Sequence, residues 1–415
     1  MLSMPISATS LTLPGSDPME GGGSVASAHS QRLADLIRAE AAAAGGSLPF
    51  DRFMELALYA PRLGYYVAGA EKFGAGGDFV TAPGLSPLFG LCLARQCEEV
   101  LRVLGEGDIL ELGAGSGELA ADILDGLQAA GCLPSRYLIL EPGAELRERQ
   151  RELLLARHAN LASRIHWLDR LPQDLTGILL ANEVMDAMPV NRFQIGLGGR
   201  LDEIRVRPQD GEGEQGWAEV LAAPQDPALA VAIAGLQARG LALAPPYNSE
   251  INLRLGPWLA ALATSMKRGL MLLIDYGYDE ADYYRPERSM GTLVCHYRHH
   301  VHGDPYAHLG LQDITAHVDF SAAARAGQAA GLELAGFTTQ AHFLLALGME
   351  ELLAELLSGA ECGTSRGLNL LLGAKQLVLP SAMGERFRVL GLAKSLRPDQ
   401  GPWQGFSLRD LRGRL

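Results

Sequence analysis

The stretch Ile109-Leu-Glu-Leu-Gly113-Ala-Gly115-Ser-Gly117-Glu-Leu-Ala-Ala-Asp-Ile-Leu124 decides the fold. Apolar residues before the first glycine predict a buried strand, and apolar residues after the third recur at the spacing of one helix face. The glycines between them let the backbone turn sharply and come close to a ligand, with the N-terminus of the helix directed at it. The stretch therefore predicts a cradle for a nucleotide-like cofactor.

Further short apolar segments follow this motif. They are Tyr137–Leu140, Ile165–Leu168, Ile178–Ala181 and Leu270–Ile274. The first of them alternate with helical segments, a pattern typical of a parallel sheet covered on both faces. We therefore expect an α/β fold with a Rossmann-like sheet. The fourth and fifth strands are separated by roughly ninety residues, far more than one crossover helix needs, so residues 190–268 must include an insertion.

The chain divides into segments of different composition. We predict a disordered N-terminal tail (1–30), a helical cap (31–104), the first half of the Rossmann-like core (105–190), an inserted substrate lobe (191–268), the second half of the core (269–394) with an active-site loop (278–320), and a C-terminal tail (395–415). Within the lobe, Arg200–Val220 reads as a hairpin, and the Ala-rich segment 224–246 could carry substrate specificity.

Composition limits the class of protein. The 415 residues carry a net charge of -13, which argues against a nucleic-acid binder because such a protein needs a basic face. Five cysteines without a CxxC pair favour a reducing compartment. A secretory or transit peptide contains basic residues, and residues 1–30 contain no Lys or Arg. No apolar run is long enough to span a membrane. We expect a cytoplasmic protein.

Acidic residues beside the glycines indicate which cofactor is bound. Glu141 follows the second strand, where it can accept hydrogen bonds from both ribose hydroxyls of an adenosine. The glycines are spaced GxGxG rather than GxGxxG, and Glu111 can face a cationic tail, so the pattern fits S-adenosylmethionine better than NAD. A nicotinamide oxidoreductase and a tight turn that binds nothing remain alternatives.

A third acidic residue, Asp169, ends the next strand and could bond the adenine amino group. Trp167 could pack near the base, although a core position suits it better. The candidate cofactor-binding residues from this part of the chain are Glu111, Gly113, Ala114, Gly115, Gly117, Glu141, Asp169 and Asn182.

Three acids are expected to meet at the catalytic edge. Glu183 and Asp186 follow the fourth strand, and Asp275 follows the fifth. Such a set suits a cationic acceptor, since a guanidinium is permanently charged and bonds carboxylates bidentately. The alternative is a helix N-terminus stabilised by acids. His317 could orient the substrate or a carboxylate, and the histidines near it fit no metal-binding framework, so we expect no metal.

The segment Asn182-Glu183-Val-Met-Asp186-Ala-Met-Pro189-Val resembles an element of the MidA-like family of class I adenosylmethionine-dependent methyltransferases. Phe53–Tyr66 is similar to its entry helix, and Gly77–Pro83 to its loop near the cofactor, which implies that Thr81 and Pro83 contact the cofactor. Gly291–Phe320 and Met383–Phe387 are similar to its later elements.

The resemblance implies a protein-arginine methyltransferase, because the eukaryotic member of this family assembles mitochondrial complex I and symmetrically dimethylates an arginine of one of its subunits. This acidic chain looks like a bacterial relative, whose partner could be a respiratory-complex subunit or another protein. An adenosylmethionine-binding assembly factor with little turnover and a methyltransferase for another acceptor remain alternatives. The leucines of 344–357 more plausibly form core than a homodimer interface.

Overall fold

The computed structural model describes residues 22–68, 82–209, 216–241, 243–359, 363–397 and 402–415. The helices are α1 (Gly22–Ala43), α2 (Phe50–Tyr59), α3 (Ala82–Leu85), α4 (Leu88–Leu104), α5 (Glu118–Ala129), α6 (Ala144–Arg157), α7 (Pro227–Ala238), α8 (Leu255–Ser265), α9 (Glu280–Tyr283), α10 (Phe320–Ala329), α11 (Gln340–Ala346), α12 (Met349–Gly359) and α13 (Ser365–Val378). The strands are β1 (Leu48–Pro49), β2 (Asp108–Leu112), β3 (Tyr137–Leu140), β4 (Ile165–Leu168), β5 (Leu175–Asn182), β6 (Asn191–Ile195), β7 (Leu201–Gln209), β8 (Gly216–Ala222), β9 (Tyr247–Ile251), β10 (Met266–Tyr278), β11 (Val294–Tyr297), β12 (His300–His302), β13 (Asp313–Thr315), β14 (Val318–Asp319), β15 (Glu333–Thr339) and β16 (Phe387–Lys394).

A central sheet with strand order β15-β16-β10-β5-β2-β3-β4 forms the core of the described chain. Neighbouring strands from β10 to β4 pair in parallel, and β16 pairs antiparallel with β10 and β15. The predicted α/β sheet is therefore confirmed. Because β2, β3, β5 and β10 run in the same direction, their carboxyl ends meet along one edge.

Both faces of this sheet are covered, as its apolar strands require. On one face, α4 and α5 pack against alternate strand residues such as Ile109 and Ile178. On the other face, α8 and α10 pack against the intervening residues, including Leu110 and Leu179. Every residue of β2 is buried, including the acidic Asp108 and Glu111, so its sequence does not alternate between apolar and polar residues.

Two smaller sheets are built from the inserted segments, with β1 of the N-terminal cap at the edge of the first. The order β1-β7-β6-β9, with β8 paired to β7, is antiparallel throughout, and the predicted Arg200–Val220 hairpin is confirmed as the β7–β8 pair. The segment 278–320 supplies the antiparallel sheet β12-β11-β13. α8 lies within the predicted lobe (191–268) in sequence, yet it packs on the central sheet.

Two terminal segments are more ordered than the composition suggests. α1 begins at Gly22, inside the segment 1–30 predicted to be disordered. His29 and Ser30 explain this difference, because their side chains bond the carbonyl oxygens of Leu63 and Leu309. Near the C-terminus, Trp403 and Phe406 are 1% exposed and belong to the main core. Among the described residues, no helix is long and apolar enough to cross a membrane.

We predict that Leu259→Ala lowers the free energy of unfolding by about 2–5 kcal/mol, because it leaves a cavity under a fully buried side chain of α8. The control is Leu197→Ala, at a residue 84% exposed, which should change it by less than about 0.5 kcal/mol. Urea unfolding measures both. Equal effects would contradict the packing of α8 on the sheet.

Candidate functional site

A cavity of about 620 Å³ opens at the carboxyl ends of β2, β3 and β5. Its walls include most of the residues predicted to bind a cofactor or catalyse a reaction. Those on its walls are Pro83, Glu111, Gly113, Ala114, Gly115, Glu141, Asp169, Asn182, Glu183 and Asp186. Gly117, Asp275 and His317 are not on its walls, and Thr81 lies outside the described residues.

The glycine turn needs glycine for a conformational reason. Gly113, Gly115 and Gly117 have φ values of 62°, 53° and 87°, the left-handed region that costs other residues about 1–2 kcal/mol. Gly117 is the N-cap of α5, and an added Cβ would lie 3.3 Å from Cα and Cγ of Gln150. Gly117 therefore packs against Gln150 on the side of the turn away from the cavity, while Gly113 and Gly115 line the cavity.

Gln150, on α6, holds the turn in place. Its Nε2 donates to the Gly115 carbonyl at 2.9 Å and to Glu141 Oε2 at 3.3 Å. Its Oε1 accepts a hydrogen bond from Trp167 Nε1 at 3.0 Å, so the tryptophan supports the site from behind and does not line the cavity. Sequence reasoning missed Gln150, because a lone polar residue in a charged helix carries no distinguishing pattern.

Two buried carboxylates flank the turn. Glu111 Oε2 accepts a hydrogen bond from the Tyr137 hydroxyl at 2.7 Å, and burial raises the pKa of Glu111 to about 7. Glu141 Oε1 accepts from the Gly143 amide at 2.9 Å, which fixes the carboxylate at the end of β3. This is the position from which an acid reaches the hydroxyls of a ribose.

The rim of the cavity is more polar and more exposed. The Asp169 side chain is 87% exposed and pairs with Arg147 at 2.7 Å.

Asn182 Nδ2 donates to Glu183 Oε1 at 3.1 Å, and Asn182 Oδ1 is buried with no hydrogen-bond partner within the described chain. A buried acceptor of this kind is costly unless a ligand supplies a donor. The wall thus offers an acceptor to a bound molecule.

The Glu183–Asp186 turn carries the catalytic candidates. Glu183 adopts φ 53°, an unusual conformation for a non-glycine residue and one that clusters at functional sites. Burial, with Asp186 nearby, raises the pKa of Glu183 to about 8. Burial likewise raises the pKa of Asp186 to about 6, and the Tyr276 hydroxyl facing it moderates that rise. The structure thus places two acids together on one wall.

Asp275 lies behind this turn, wholly buried. Its Oδ2 accepts hydrogen bonds from the amides of Met185 at 3.0 Å and Asp186 at 3.2 Å, and its Oδ1 accepts from the Tyr276 amide at 2.9 Å. Since it does not line the cavity, the structure gives Asp275 a positioning role rather than contact with a substrate.

His317 also lies away from the cavity. Its Nδ1 is 3.2 Å from the Thr292 carbonyl oxygen, and its ring stacks on Tyr278 with centroids 5.3 Å apart. Burial lowers the pKa of His317 to about 4, so the ring is neutral near pH 7. It lines a second cavity, beyond Met185. A direct catalytic role for His317 stays a prediction.

Aromatic residues outside the predicted set complete the first cavity. Tyr59 and Tyr66 lie on its wall with their rings stacked 5.4 Å apart. Tyr59 donates to the Ala187 carbonyl at 3.0 Å, and Tyr66 donates to the Asp313 carboxylate at 2.9 Å. Trp258 of α8 lines the opposite part. The signal for the tyrosines was their place in the entry segment Phe53–Tyr66.

The residues that line this cavity fit an adenosine-containing cofactor with a cationic end. The turn gives close access to the backbone, Glu141 lies at a ribose position, and the carboxyl groups of Glu111, Glu183 and Asp186 lie on the same walls. In the part of the chain that the structure describes, no group of His, Cys, Asp and Glu side chains is arranged to hold a metal ion.

Comparisons with known proteins agree with this chemistry. Residues 92–338 match a family model described as "Putative S-adenosyl-L-methionine-dependent methyltransferase". The chain is similar to a Burkholderia thailandensis protein whose crystal structure contains S-adenosyl-homocysteine, with 39% identity and a TM-score of 0.87 over 98% of this chain and 100% of that one.

Curated relatives include mitochondrial proteins named as protein arginine methyltransferase NDUFAF7. The Danio rerio protein is 28% identical over 85% of both chains. The Homo sapiens protein is 26% identical over 86% of this chain and 83% of its own.

We predict that Gln150→Leu weakens S-adenosyl-homocysteine binding roughly five- to tenfold, since a hydrogen bond that orders the turn contributes about 1 kcal/mol. Calorimetric titration measures the affinity. Gln237→Leu, an exposed glutamine of α7, is the control and should bind like the wild type. An unchanged affinity for Gln150→Leu would show that the glycine turn needs no support from α6.

We predict that the free energy of unfolding falls as pH rises from about 4.5 to 8. The free energy of unfolding of the Glu183→Gln variant should fall less over the same range. Glu183 has a raised folded pKa of about 8, so its stabilising contribution is complete below pH 4.5 and is lost as the pH passes 8. Urea unfolding at pH 5, 6.5 and 8 measures this. The exposed control Glu145→Gln should follow the wild type, and parallel curves for Glu183→Gln would contradict the prediction.

Proposed function

The chain belongs to this family of S-adenosyl-L-methionine-dependent methyltransferases, and we propose that its methyl acceptor is the guanidinium of an arginine side chain in a protein. One observation carries this proposal: Glu183, which is partly buried, and Asp186, which is buried, lie together on the cavity wall without an ion pair in the described part of the chain. Buried charges are costly unless a cation pairs with them, and a substrate can supply that cation.

The shape of a guanidinium suits this pair of acids. It is planar, stays charged at any physiological pH and donates two parallel hydrogen bonds to a carboxylate. Tyr59 and Trp258 add aromatic faces to the same cavity, and a cation over such a face gains further stabilisation. A neutral acceptor, such as a hydroxyl, would leave the acids without a partner.

The names of the relatives point to the same acceptor. NDUFAF7 proteins of fish, rodents and humans are named protein arginine methyltransferases, and they are similar to this chain over most of its length. Symmetric dimethylation and a respiratory-complex subunit as the target are part of the proposal, on the strength of the family resemblance. The cytoplasmic location stays a prediction.

The residues of this chain would act mainly by position and charge. Bound S-adenosylmethionine supplies an electrophilic methyl group. Glu183 and Asp186 would hold the guanidinium so that one nitrogen lies in line with the carbon–sulfur bond that breaks, which accounts for most of the catalysis in a direct displacement. Once the nitrogen–carbon bond has formed, the extra proton on nitrogen leaves. Glu183, ionised by its pairing with the guanidinium, is the carboxylate placed to take it.

We predict that Glu183→Gln and Asp186→Asn each lower methyl transfer about 10²–10⁴-fold, because each removes one charge from the acceptor site. The assay uses S-adenosylmethionine with a labelled methyl group and lysate proteins, with mass spectrometry to identify the modified residue as symmetric or asymmetric dimethylarginine. Affinity for S-adenosyl-homocysteine should change little, and the exposed control Glu350→Gln should keep full activity.

Other outcomes would favour the alternatives. Label on lysine or on a small molecule would contradict arginine as the acceptor. Tight cofactor binding without transfer to any lysate protein would favour an assembly factor with little turnover. Variants of Glu183 and Asp186 with wild-type activity would exclude this turn as the catalytic site.

A further inference from the structure

A second cavity, of about 440 Å³, lies on the other side of the catalytic turn. This volume is in the range of small-ligand pockets, roughly 300–1,000 Å³, and can contain a leucine or phenylalanine side chain. Its walls come from both insertions, with α7 of the inserted lobe on one side and residues 316–319 on the other. Neither catalysis nor cofactor binding, as described above, uses it.

The second cavity shares structure with the methyl-transfer site. Met185, between the two catalytic acids, forms part of its wall. The Ala316 amide, also on the wall, donates to the Asp186 carbonyl at 3.0 Å. A protein whose arginine enters the first cavity therefore has neighbouring residues beside the second.

The hydroxyls of the wall are already engaged. The Tyr283 hydroxyl lies 3.1 Å from Thr292 Oγ1, and the Tyr284 hydroxyl donates to the Glu250 carbonyl at 3.1 Å. These two groups therefore have partners without a ligand.

Most charged groups of the wall are engaged as well. Glu250 Oε2 accepts the Thr292 amide at 2.8 Å, and Glu250 Oε1 has no hydrogen-bond partner among the described residues. Asp319 accepts the Ala322 amide at 2.8 Å as the N-cap of α10. Arg239 donates to the buried carboxylate of Glu280 at 2.7 Å, and Arg325 pairs with the same carboxylate. A charged ligand would have to compete for these contacts.

Most of the wall that a ligand could cover is apolar surface. Val231, on the wall, is 71% exposed, which is high for a valine, and Leu236, Leu253 and Leu255 extend the apolar lining. Covering such surface is favourable without any new hydrogen bond. The cavity thus suits an uncharged, apolar group.

We infer that the second cavity binds an apolar side chain of the acceptor protein, close in the acceptor's sequence to the residue that is methylated. This inference rests on the proposed function, because it takes a protein as the acceptor. It gives the two insertions a common role: they select the sequence around the target arginine.

The first experiment detects binding without turnover. N-acetyl-leucinamide is the probe, and the 13C-methyl resonance of Met185, assigned by its loss in Met185→Leu, reports on the wall. We expect a saturable shift in the wild type and in Ala234→Trp, whose mutated residue is exposed on α7 away from the cavity. Ala232→Trp fills the cavity from the same helix and should abolish the shift. N-acetyl-aspartamide should cause none.

Several results would overturn the inference: no shift with N-acetyl-leucinamide, an equal shift with N-acetyl-aspartamide, or an equal shift in Ala232→Trp. Thermal unfolding of both tryptophan variants checks that they fold. Should Ala232→Trp unfold, Val231→Glu, at the exposed rim, places a charge in the cavity and should weaken the shift instead.

The second experiment links the cavity to the acceptor. Arginine peptides that carry either leucine or aspartate at each of the three positions before and after the arginine are compared as methyl acceptors. We expect leucine at one position to lower KM about tenfold or more in the wild type and in Ala234→Trp, as burial of one leucine side chain implies. Ala232→Trp should remove that preference while kcat changes little.

A preference that survives in Ala232→Trp, or no leucine preference at all, would contradict the inference. If no arginine peptide is methylated, the proposed function fails. The Met185 resonance still reports whether the second cavity accepts an apolar group, so the two failures remain distinguishable.

Discussion

The buried carboxylate of Asp275 holds the Glu183–Asp186 turn in place. Its hydrogen bonds to the amides of Met185 and Asp186, together with the bond from the Glu183 amide to the Ile274 carbonyl at 2.9 Å, join the end of β5 to the end of β10. Glu183 is thereby held at a positive φ, a conformation that costs of order 1–3 kcal/mol and needs such support. The parallel pairing of the two strands sets the distance over which these bonds form.

A cluster of acids in an apolar surrounding follows from this arrangement. Burial raises the pKa values of Glu111, Glu183, Asp186 and Asp275, and repulsion from Asp186 adds to the rise at Glu183 and Asp275. The protein therefore carries a local electrostatic cost that is lowest when cations are bound. A sulfonium cofactor and a guanidinium acceptor both meet that need, so binding and charge compensation are coupled at one site.

The sequence predicts the parts of the site that depend on local patterns. The glycine turn, the strand ends and the acids that follow them are fixed by hydrophobic periodicity and by the rule that parallel strands end on one edge. Hydrophobic periodicity and strand direction do not predict which way a side chain at a strand end points. The sequence predicts that Asp275 follows its strand, but β10 continues to Tyr278, and the Asp275 side chain faces the backbone of a neighbouring turn rather than the cavity.

Contacts between distant segments could not be predicted from one sequence. Gln150 reaches the glycine turn from a helix in which half of the residues are charged, and Tyr59 and Tyr66 reach the cavity from a segment far ahead of the sheet. Each position is decided by tertiary packing. The helical start of α1 has the same origin, because long-range hydrogen bonds order residues that composition alone marks as disordered.

The most direct test of the central claim counts the protons released when an arginine peptide binds to the complex with S-adenosyl-homocysteine. Calorimetry at pH 7 in buffers of different ionisation enthalpy gives this number. If the guanidinium pairs with Glu183, whose pKa of about 8 leaves it mostly protonated at this pH, about one proton is released, and Glu183→Gln releases none. Binding without proton release, or the same release from Glu183→Gln, would contradict the pairing of the acceptor with this carboxylate.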